Sequence, residues 1–336
     1  MMSRSLDLRT STKVAFVMGI RLIVEPRKTV QWKQFSRYPS YSIAVDGYCS
    51  GRPRATADGR VLNINHHEDC DRIATRSSCA QALHRVKMGL WDTFSYGGRH
   101  RADVYVNDCD QDVTLATYVL MHPKSVDRQR LKLLIQLEDI LDMSSGFYPI
   151  KKRWHLLKML NWINEPFTDV RCTPEFRAMD ASTMRALIDT THRRIRETLY
   201  GRGKEITPDT RYEVLGKYRD WSLVKEIGSH ALIGMAQAGI KAYVSVRAEK
   251  DGRFWYGIGR RSSQIISFPL QKIFLRLNEV EGIPQKADDR WGGGDNSGGP
   301  PRKAGSVLSP EALVPHVNAV CDEYRRFLET SFVPRR

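Results

Sequence analysis

The sequence predicts an α/β fold, with a largely parallel sheet flanked by helices, a helical middle region and a smaller α+β domain at the C-terminus. Two observations favour this fold class. Short apolar segments suited to strands each run into a polar turn, and helical patterns follow two of those turns. Strands that alternate with helices are typical of parallel sheets, because the helix carries the chain back to where the next strand begins.

Three core strands are predicted in the first half of the chain, at residues 41–45, 61–64 and 102–106. The first ends at Asp46, the second runs through Asn65 to the pair His66 and His67, and the third ends in an acidic turn. In parallel sheets, ligands bind beyond the carboxyl ends of the strands. We therefore expect all three turns at the ligand-binding edge.

Helices are predicted at residues 73–88, 113–121 and 270–278, and the segment 131–200 is expected to be mainly helical. Residues 241–258 favour a β-hairpin that turns at Asp251-Gly252. The predicted organisation has three parts: a basic N-terminal arm at residues 1–40, an α/β domain with a helical extension at 41–205, and a smaller α+β substrate-binding domain at 215–336.

The composition is that of a basic globular protein. The 336 residues include 53 Lys and Arg against 38 Asp and Glu, giving a formal net charge of +15, and 41% are hydrophobic. That apolar share supports a sizeable core and excludes a collagen-like or globally disordered chain. The basic surplus favours a phosphate-bearing partner, either a small molecule or a short nucleic acid, because it raises the local concentration of polyanions.

No apolar run approaches the roughly 20 residues that a membrane helix needs, so we expect no membrane partner. The six cysteines show no paired spacing and no Cys-x-x-Cys. Scattered single cysteines are more typical of reduced thiols than of disulfides, which favours a cytoplasmic location. The sequence leaves the oligomeric state open.

Acidic and histidine side chains cluster after the predicted strands. Like charges packed this closely are unfavourable unless a cation neutralises them, and mixed imidazole and carboxylate ligands suit manganese, iron or zinc. The candidate metal ligands are Asp46, His66, His67, Asp108, Asp110 and Asp112. The acidic turn could instead cap the helix that follows it, and Asp69 and Asp71 are expected to be surface caps.

The run Val45-Asp46-Gly47, followed by Ile64-Asn65-His66-His67 and a helix containing Ser77-Ser78, resembles the DHH phosphoesterases. Asp110-Gln111-Asp112-Val113-Thr114-Leu115-Ala116 also looks like that family's Asp-x-Asp-Ala motif. The resemblance covers roughly residues 41–122. It implies an α/β fold with a dinuclear site for Mn²⁺, or for another divalent metal such as Mg²⁺, Fe²⁺ or Zn²⁺. The family includes inorganic pyrophosphatases, single-strand exonucleases and hydrolases of short oligonucleotides or cyclic dinucleotides.

This sequence departs from the family pattern in three ways. Asn65 stands where the family has the first Asp of Asp-His-His, and Val106 stands where a histidine precedes Asp-x-Asp. The Asp-x-Asp motif also follows the His pair here, whereas in the family it comes first. Either the motif order is rearranged, or Asp108 and Asp110 stand in for the family's last metal-binding Asp and the first motif is missing.

A glycine-rich loop over residues 290–303 is the most distinctive loop of the chain. Successive glycines let backbone N–H groups approach an anion, and arginine suits bidentate phosphate contacts. The expected substrate-binding residues are Gly292, Gly293, Gly294, Gly298, Gly299, Arg302 and Lys303. The loop resembles the Gly-Gly-Gly-His loop of the domain that accompanies many DHH phosphoesterases, with Asp295 at the His position. A flexible linker is the alternative interpretation.

Together these features favour a metal-dependent phosphohydrolase that acts on a nucleotide, a short oligonucleotide or a related phosphate ester. The metal would activate a water, and His66 or His67, if not a ligand, could protonate the leaving oxygen. The first alternative is a non-catalytic nucleotide or nucleic-acid binding protein derived from such a hydrolase, which Asn65 favours. A second alternative is a structural protein whose acidic turns only cap helices.

Overall fold

A computed structural model of the protein describes residues 19–151, 153–171, 176 and 178–331. The first sheet has the strand order β1-β7-β2-β4-β3, and its four longer strands are parallel. Its strands are β1 (Ile20–Val24), β2 (Ser42–Val45), β3 (Arg54–Ala55), β4 (Val61–Ile64) and β7 (Ala102–Val106), and β5 (Ser95–Tyr96) and β6 (Arg99–His100) form a separate hairpin. The predicted strands are confirmed, and so is the α/β fold class.

The strands β2 and β4 are buried along their whole length. Strands covered on both faces need continuous apolar runs, because helices cover both sides of a parallel sheet. The helices of this part of the chain are α1 (Trp32–Phe35), α2 (Arg72–Thr75), α3 (Ser78–Lys87), α4 (Leu90–Thr93), α5 (Gln111–Met121), α6 (Gln129–Met143), α7 (His155–Val170) and α8 (Ala181–Leu199). The middle region is therefore helical, as predicted.

The helix predicted over residues 73–88 is divided into α2 and α3. Arg76 has a φ of 73°, outside the helical region, so the first helix ends there. The hydroxyl of Ser77 then accepts a hydrogen bond from the N–H of Ala80 and caps α3. This break directs the first N–H groups of α3 towards the carboxyl edge of the sheet, where they contact Asp112.

The interpretation of residues 1–40 as a peripheral arm is wrong for the part that the structure describes. Residues 20–24 form β1, which pairs in parallel with β7. Arg21 interrupts the apolar run that forms this strand. In the structure its guanidinium binds Asp103 on the neighbouring strand at 2.6–2.7 Å. Residues 1–18 of the predicted arm lie outside the described residues.

The second sheet contains six strands in the order β12-β13-β11-β10-β9-β8. Its elements are β8 (Tyr212–Lys217), β9 (Ser222–Glu226), α9 (Ala231–Gln237), β10 (Ala242–Lys250), β11 (Arg253–Arg260), α10 (Leu270–Val280), β12 (Gly292–Gly293), β13 (Ser297–Gly299) and α11 (Pro310–Ser331). The predicted hairpin is confirmed as β10 and β11. Its turn places Asp251 and Gly252 at positive φ, as tight hairpins require.

Among the described residues, no helix combines the length and apolar character needed to cross a membrane. Five cysteines carry free thiols, namely Cys49, Cys70, Cys79, Cys109 and Cys321. Cys172 lies outside the described residues.

Candidate metal centre

The strand order brings the three predicted turns together. Strand β7 lies beside β2, and β2 lies beside β4, all parallel. Their carboxyl ends therefore share one edge of the sheet, although β7 follows β4, the later of the other two strands, by about forty residues in the chain. Asp46, His66 and the acidic turn that follows β7 meet at this edge.

Asp46 occupies a strained position directly after β2. Its φ is 51°, in the left-handed region that residues with a Cβ avoid, and its side chain is almost fully buried. The conformation directs the carboxylate inward, where Oδ1 lies 2.6 Å from Nε2 of His67 and 3.4 Å from Nε2 of His66. Strained backbone of this kind is concentrated at functional sites.

The imidazole of His66 is completely buried and faces carboxylates from three different elements. Its Nε2 lies 3.0 Å from Asp142, 3.4 Å from Asp46 and 3.6 Å from Asp112. Neither ring nitrogen forms a hydrogen bond of good geometry, and Oδ2 of Asp142 has no hydrogen-bond partner either. Buried polar atoms are nearly always paired, so this group of unpaired atoms calls for a ligand.

Asn65 explains how the histidine pair is held. Its side-chain oxygen accepts hydrogen bonds from the N–H groups of His66 at 2.8 Å and His67 at 3.2 Å. Its side-chain amide donates to the carbonyl of Gly51 at 3.2 Å. The residue that departs from the family pattern thus fixes the turn carrying both imidazoles, and its side chain is fully committed to backbone partners.

The acidic turn after β7 combines capping with site formation. Asp110 caps α5 by accepting from the N–H of Val113 at 2.9 Å. Both oxygens of Asp112 accept backbone N–H groups at the start of α3, from Ser78 and Cys79, each at 2.7 Å. Capping is therefore confirmed for Asp110, while Asp112 both caps α3 and faces His66.

Asp69 and Asp71 lie apart from this arrangement. Asp71 caps α2 by accepting from the N–H groups of Ile73 at 3.0 Å and Ala74 at 3.1 Å, which confirms its predicted role. Asp69 is exposed and has a φ of 54°, as expected for a residue in a surface turn.

Sequence reasoning missed Asp142, which α6 contributes. Its other oxygen pairs with Arg72 at 2.9 Å. On the same helix Asp139 is buried, pairs with Arg76 at 2.6 Å and accepts from the N–H of Ser77 at 2.8 Å. The signal was available, because acidic residues rarely recur along the apolar face of a helix unless they have a buried role.

Burial and mutual repulsion shift the acidic pKa values strongly. Burial, with the nearby carboxylates of Asp142 and Asp46, raises the pKa of Asp112 to about 6. Burial and the charges of Asp46 and Asp108 raise the pKa of Asp110 well above its usual value. Burial and repulsion by nearby carboxylates raise the pKa of Glu138 as well. This edge holds more negative charge than its own cations compensate.

The pKa values of His66 and Asp46 are set by their mutual contacts as well as by burial. Burial alone would lower the pKa of His66, but contacts with Asp142 and Asp46 outweigh it and raise the pKa to about 10. Burial would also raise the pKa of Asp46, yet the charge of His67 and contacts with both imidazoles hold it far below its usual value. The site therefore favours a proton at the position where a metal cation could replace it.

Two groups of side chains could hold a metal ion. Ligand atoms lie within 4.8 Å of one another in the groups Asp46, His66 and His67, and His66, Asp112 and Asp142. Both groups share His66. The unpaired nitrogen of His66 and oxygen of Asp142 fit a cation, because each could bind it without losing a hydrogen bond. Of the predicted ligands, Asp108 and Asp110 fall outside both groups.

A cavity of about 320 Å³ lies beside this edge and reaches the glycine-rich loop. Asp108 lines it from the acidic turn, and Arg302 and Lys303 line it from the second domain. The remaining lining residues are Arg27, Asn107, Phe176 and Met184. The structure thus brings two of the predicted substrate-binding cations to the same cavity as one of the predicted acidic residues.

The glycines of the loop have a structural explanation of their own. Gly293 and Gly298 pair across β12 and β13, and a Cβ at Gly298 would collide with the carbonyl of Gly292 and the ring of Phe274. A Cβ at Gly299 would lie 2.8 Å from the carbonyl of Tyr256. Close strand packing therefore requires glycine at these positions without any ligand.

Gly292 and Gly294 differ from these packed positions, because a Cβ at either would meet nothing within 4 Å. These two glycines stay candidates for backbone contact with substrate. The loop carries short strands within the sheet, which argues against a flexible linker.

No protein-family model, no curated protein and no solved structure matches this chain. The resemblance to the DHH phosphoesterases therefore stays a prediction. The functional interpretation rests on the geometry of the site.

Proposed function

We propose that the protein is a metal-dependent phosphohydrolase that acts on a nucleotide, a short oligonucleotide or a related phosphate ester. One observation carries the proposal: three carboxylates converge on the buried, unpaired nitrogen of His66. Core packing alone does not favour such an arrangement, because gathering like charges in a buried site is costly unless a cation compensates them.

The position of β7 supports the rearranged-motif alternative. Asp110 and Asp112 come late in the chain, but β7 inserts between β1 and β2 and places them beside Asp46. The Asp-x-Asp motif therefore lies close in space to Asp46 and to the His pair, whatever the order of these residues along the chain. Asp142 supplies a further carboxylate, so the centre does not need an acidic side chain at the position of Asn65.

Manganese is the metal that we propose, because one imidazole nitrogen and several carboxylate oxygens make a ligand set of intermediate hardness. His66, Asp112 and Asp142 would hold it, and Asp46 faces the same imidazole nitrogen at 3.4 Å. When bound, a divalent metal at this edge would lower the pKa of a water and polarise a phosphoryl oxygen.

His67 is the better candidate for proton transfer. Its side chain is 34% exposed, whereas that of His66 is inaccessible to solvent. Its Nε2 lies 2.6 Å from Asp46, a contact that orients the ring. We assign His67 the protonation of the leaving oxygen, while His66 binds the metal.

The adjoining cavity would hold the substrate. Arg27, Arg302 and Lys303 place positive charge where a phosphate needs it, and Phe176 with Met184 offers an apolar wall for the esterified group. A volume of about 320 Å³ suits a ligand the size of one nucleotide.

Hydrolysis of bis(p-nitrophenyl) phosphate by the full chain tests the proposal. We expect turnover with Mn²⁺, none after chelation by EDTA, and loss of turnover in His66→Ala. Binding of stoichiometric Mn²⁺ together with binding but no cleavage of nucleotide esters would instead favour the non-catalytic alternative. Absence of any Mn²⁺ binding would refute both the centre and the hydrolase.

A further inference from the structure

An exposed tyrosine surrounded by arginines lies at the other end of the first domain. We call it the Tyr200 surface, and it comprises Tyr200, Arg128, Arg196 and Arg202. Helix α8 begins near the cavity, which Met184 lines, and Tyr200 directly follows its last residue. Sixteen residues of helix separate the two positions by about 24 Å, so this surface is distinct from the metal centre.

The ring of Tyr200 is flanked by guanidinium groups. The side chain is 56% exposed, with Cζ of Arg128 at 4.4 Å and Cζ of Arg202 at 5.7 Å from the ring centroid. These are cation–π distances. The two arginines come from different segments, one before α6 and one after α8, so their convergence on a single ring follows from the fold.

Arg196 adds a third guanidinium on the last turn of α8. Its charge also acts on residues beneath the surface, because it lowers the pKa of His122 in addition to the larger effect of burial. It also opposes the effect of burial on the pKa of Tyr118, as Arg128 does. The positive potential is therefore shared across the ends of α5, α6 and α8.

The positive charge on this surface exceeds the negative charge beside it. In the part of the chain that the structure describes, Arg128, Arg196 and Arg202 form no ion pair with a carboxylate, and Glu197 on the last turn of α8 offsets at most one of the three. Two other nearby acids pair elsewhere. Asp127 binds Lys87 at 3.0 Å, and Glu205 binds His155 at 2.8 Å. Attraction to the helix C-terminus accounts for arginines on α8, but not for Arg128 or for the exposed ring.

We propose that the Tyr200 surface binds single-stranded nucleic acid, with a base stacked on Tyr200 in place of the Arg202 guanidinium, which lies farther from the ring than that of Arg128. The three arginines then contact phosphates. Aromatic rings exposed among unpaired cations are the pattern by which proteins hold single strands without reading their sequence. A ligand that offered phosphate alone would gain nothing from the tyrosine. The proposal does not depend on the metal centre or on catalysis.

Fluorescence anisotropy of a labelled 12-nucleotide oligothymidylate tests this site on the full chain. EDTA is present so that no cleavage occurs. We expect Tyr200→Ala to weaken binding about tenfold, since base stacking on an aromatic ring is worth roughly that much, and Tyr200→Phe to bind as the wild type does. The double variant Arg128→Gln, Arg202→Gln should reduce the salt slope by about 1.4.

Matched controls come from the second domain. Phe327→Ala removes a ring that is 59% exposed, and Arg253→Gln with Arg326→Gln removes two exposed arginines. We expect both controls to bind as the wild type does. The Tyr200 and arginine effects should persist in a background carrying Arg302→Gln and Lys303→Gln, which removes cations of the cavity.

Two results would overturn the proposal. Binding of Tyr200→Ala within twofold of the wild type would exclude base stacking, even if the arginine variants bound less. An effect that disappeared in the background lacking Arg302 and Lys303 would assign the binding to the cavity. Thermal unfolding of each variant shows that it is folded, and Tyr200→Phe retains the ring if Tyr200→Ala does not fold.

Discussion

At the carboxyl edge of the first sheet, the buried nitrogen of His66 faces three carboxylates without a hydrogen bond. In the glycine-rich loop, Gly293 and Gly298 pair in a β-ladder and pack against backbone and a ring. Both regions stand out in the sequence by composition. The first leaves both ring nitrogens of His66 and an oxygen of Asp142 unpaired among several charged groups. In the loop, Oδ1 of Asn296 is the one buried side-chain atom without a partner among the described residues.

Unusual composition and unpaired buried atoms carry different information about a ligand. Unusual composition shows that a segment is constrained, and packing alone can be the constraint, as it is for Gly298. Buried atoms without partners that lie among converging charges indicate that something outside the chain completes the site, because an unpaired buried group carries its full desolvation cost. The cavity joins the two regions, since Arg302 and Lys303 line it at the end of the loop.

The largest effect is expected at the metal centre itself. Asp46→Asn should weaken Mn²⁺ binding at least about a hundredfold, because even indirect partners of metal ligands cost 10–100-fold. Isothermal titration calorimetry measures it. Asp71→Asn is the matched control, since this exposed acid caps α2 and asparagine caps equally well. Equal loss in both variants would mean that general charge, and not the centre, attracts the metal.

The next largest effect is expected on the free energy of unfolding when a methyl group is added to a glycine of the loop. Gly298→Ala should lower the free energy of unfolding by about 2 kcal/mol, the usual cost of overpacking. Gly294→Ala, where a Cβ meets nothing within 4 Å, should change it by less than about 0.5 kcal/mol. Urea unfolding distinguishes them. Similar stabilities would show that the loop is not packed as described.

The metal affinity of the centre should depend on pH, which is a further difference from the loop. Contacts with Asp142 and Asp46 overcome the effect of burial and raise the pKa of His66 to about 10, and metal must displace that proton. Affinity for Mn²⁺ should therefore rise about tenfold per pH unit between pH 6.5 and 8.5.

In the metal-free protein, the stability that charged His66 contributes is fully present below about pH 6.5 and is lost as the pH rises through about 10. Unfolding followed with and without Mn²⁺ should show the two curves diverging with rising pH. Metal affinity that stayed constant over this range would contradict a role for His66 as ligand.

The smallest effect is expected at the cations of the cavity. Arg302→Gln should raise the KM for a phosphate ester about fivefold and leave Mn²⁺ affinity unchanged, because exposed charge contacts are worth up to about 1 kcal/mol. Steady-state kinetics with calorimetry checks both values. Arg290→Gln, on the same loop but outside the cavity lining, is the control. Reduced metal affinity in Arg302→Gln would indicate that the two regions are not separate.

Local patterns predicted much of the fold. The strands β4 and β7 begin and end at the predicted residues, because continuous apolar runs bounded by polar turns have few alternatives. Strand β1 was missed, since Arg21 interrupts its apolar run; the side chain stays exposed in the structure and pairs with Asp103 on the next strand. Cross-strand partners are set by topology, and one sequence does not reveal them.

The candidate site was predictable to the extent that it lies at strand ends. Asp46, His66 and Asp112 follow directly from the parallel-sheet pattern. Asp142 does not, because it reaches the site from the last turn of α6, and the sequence contains no register between that helix and the sheet. Asn65 looked like a defect in the ligand set, but its hydrogen bonds hold the turn of the histidine pair.

We expect a divalent cation among His66, Asp112 and Asp142, beside Asp46. Anomalous diffraction at the manganese edge, from crystals grown with Mn²⁺, locates such a cation. We expect a peak within about 2.5 Å of Nε2 of His66 and of oxygens from Asp112 and Asp142. Crystals that contain Mn²⁺ elsewhere, while these side chains keep their contacts with no peak between them, would contradict it.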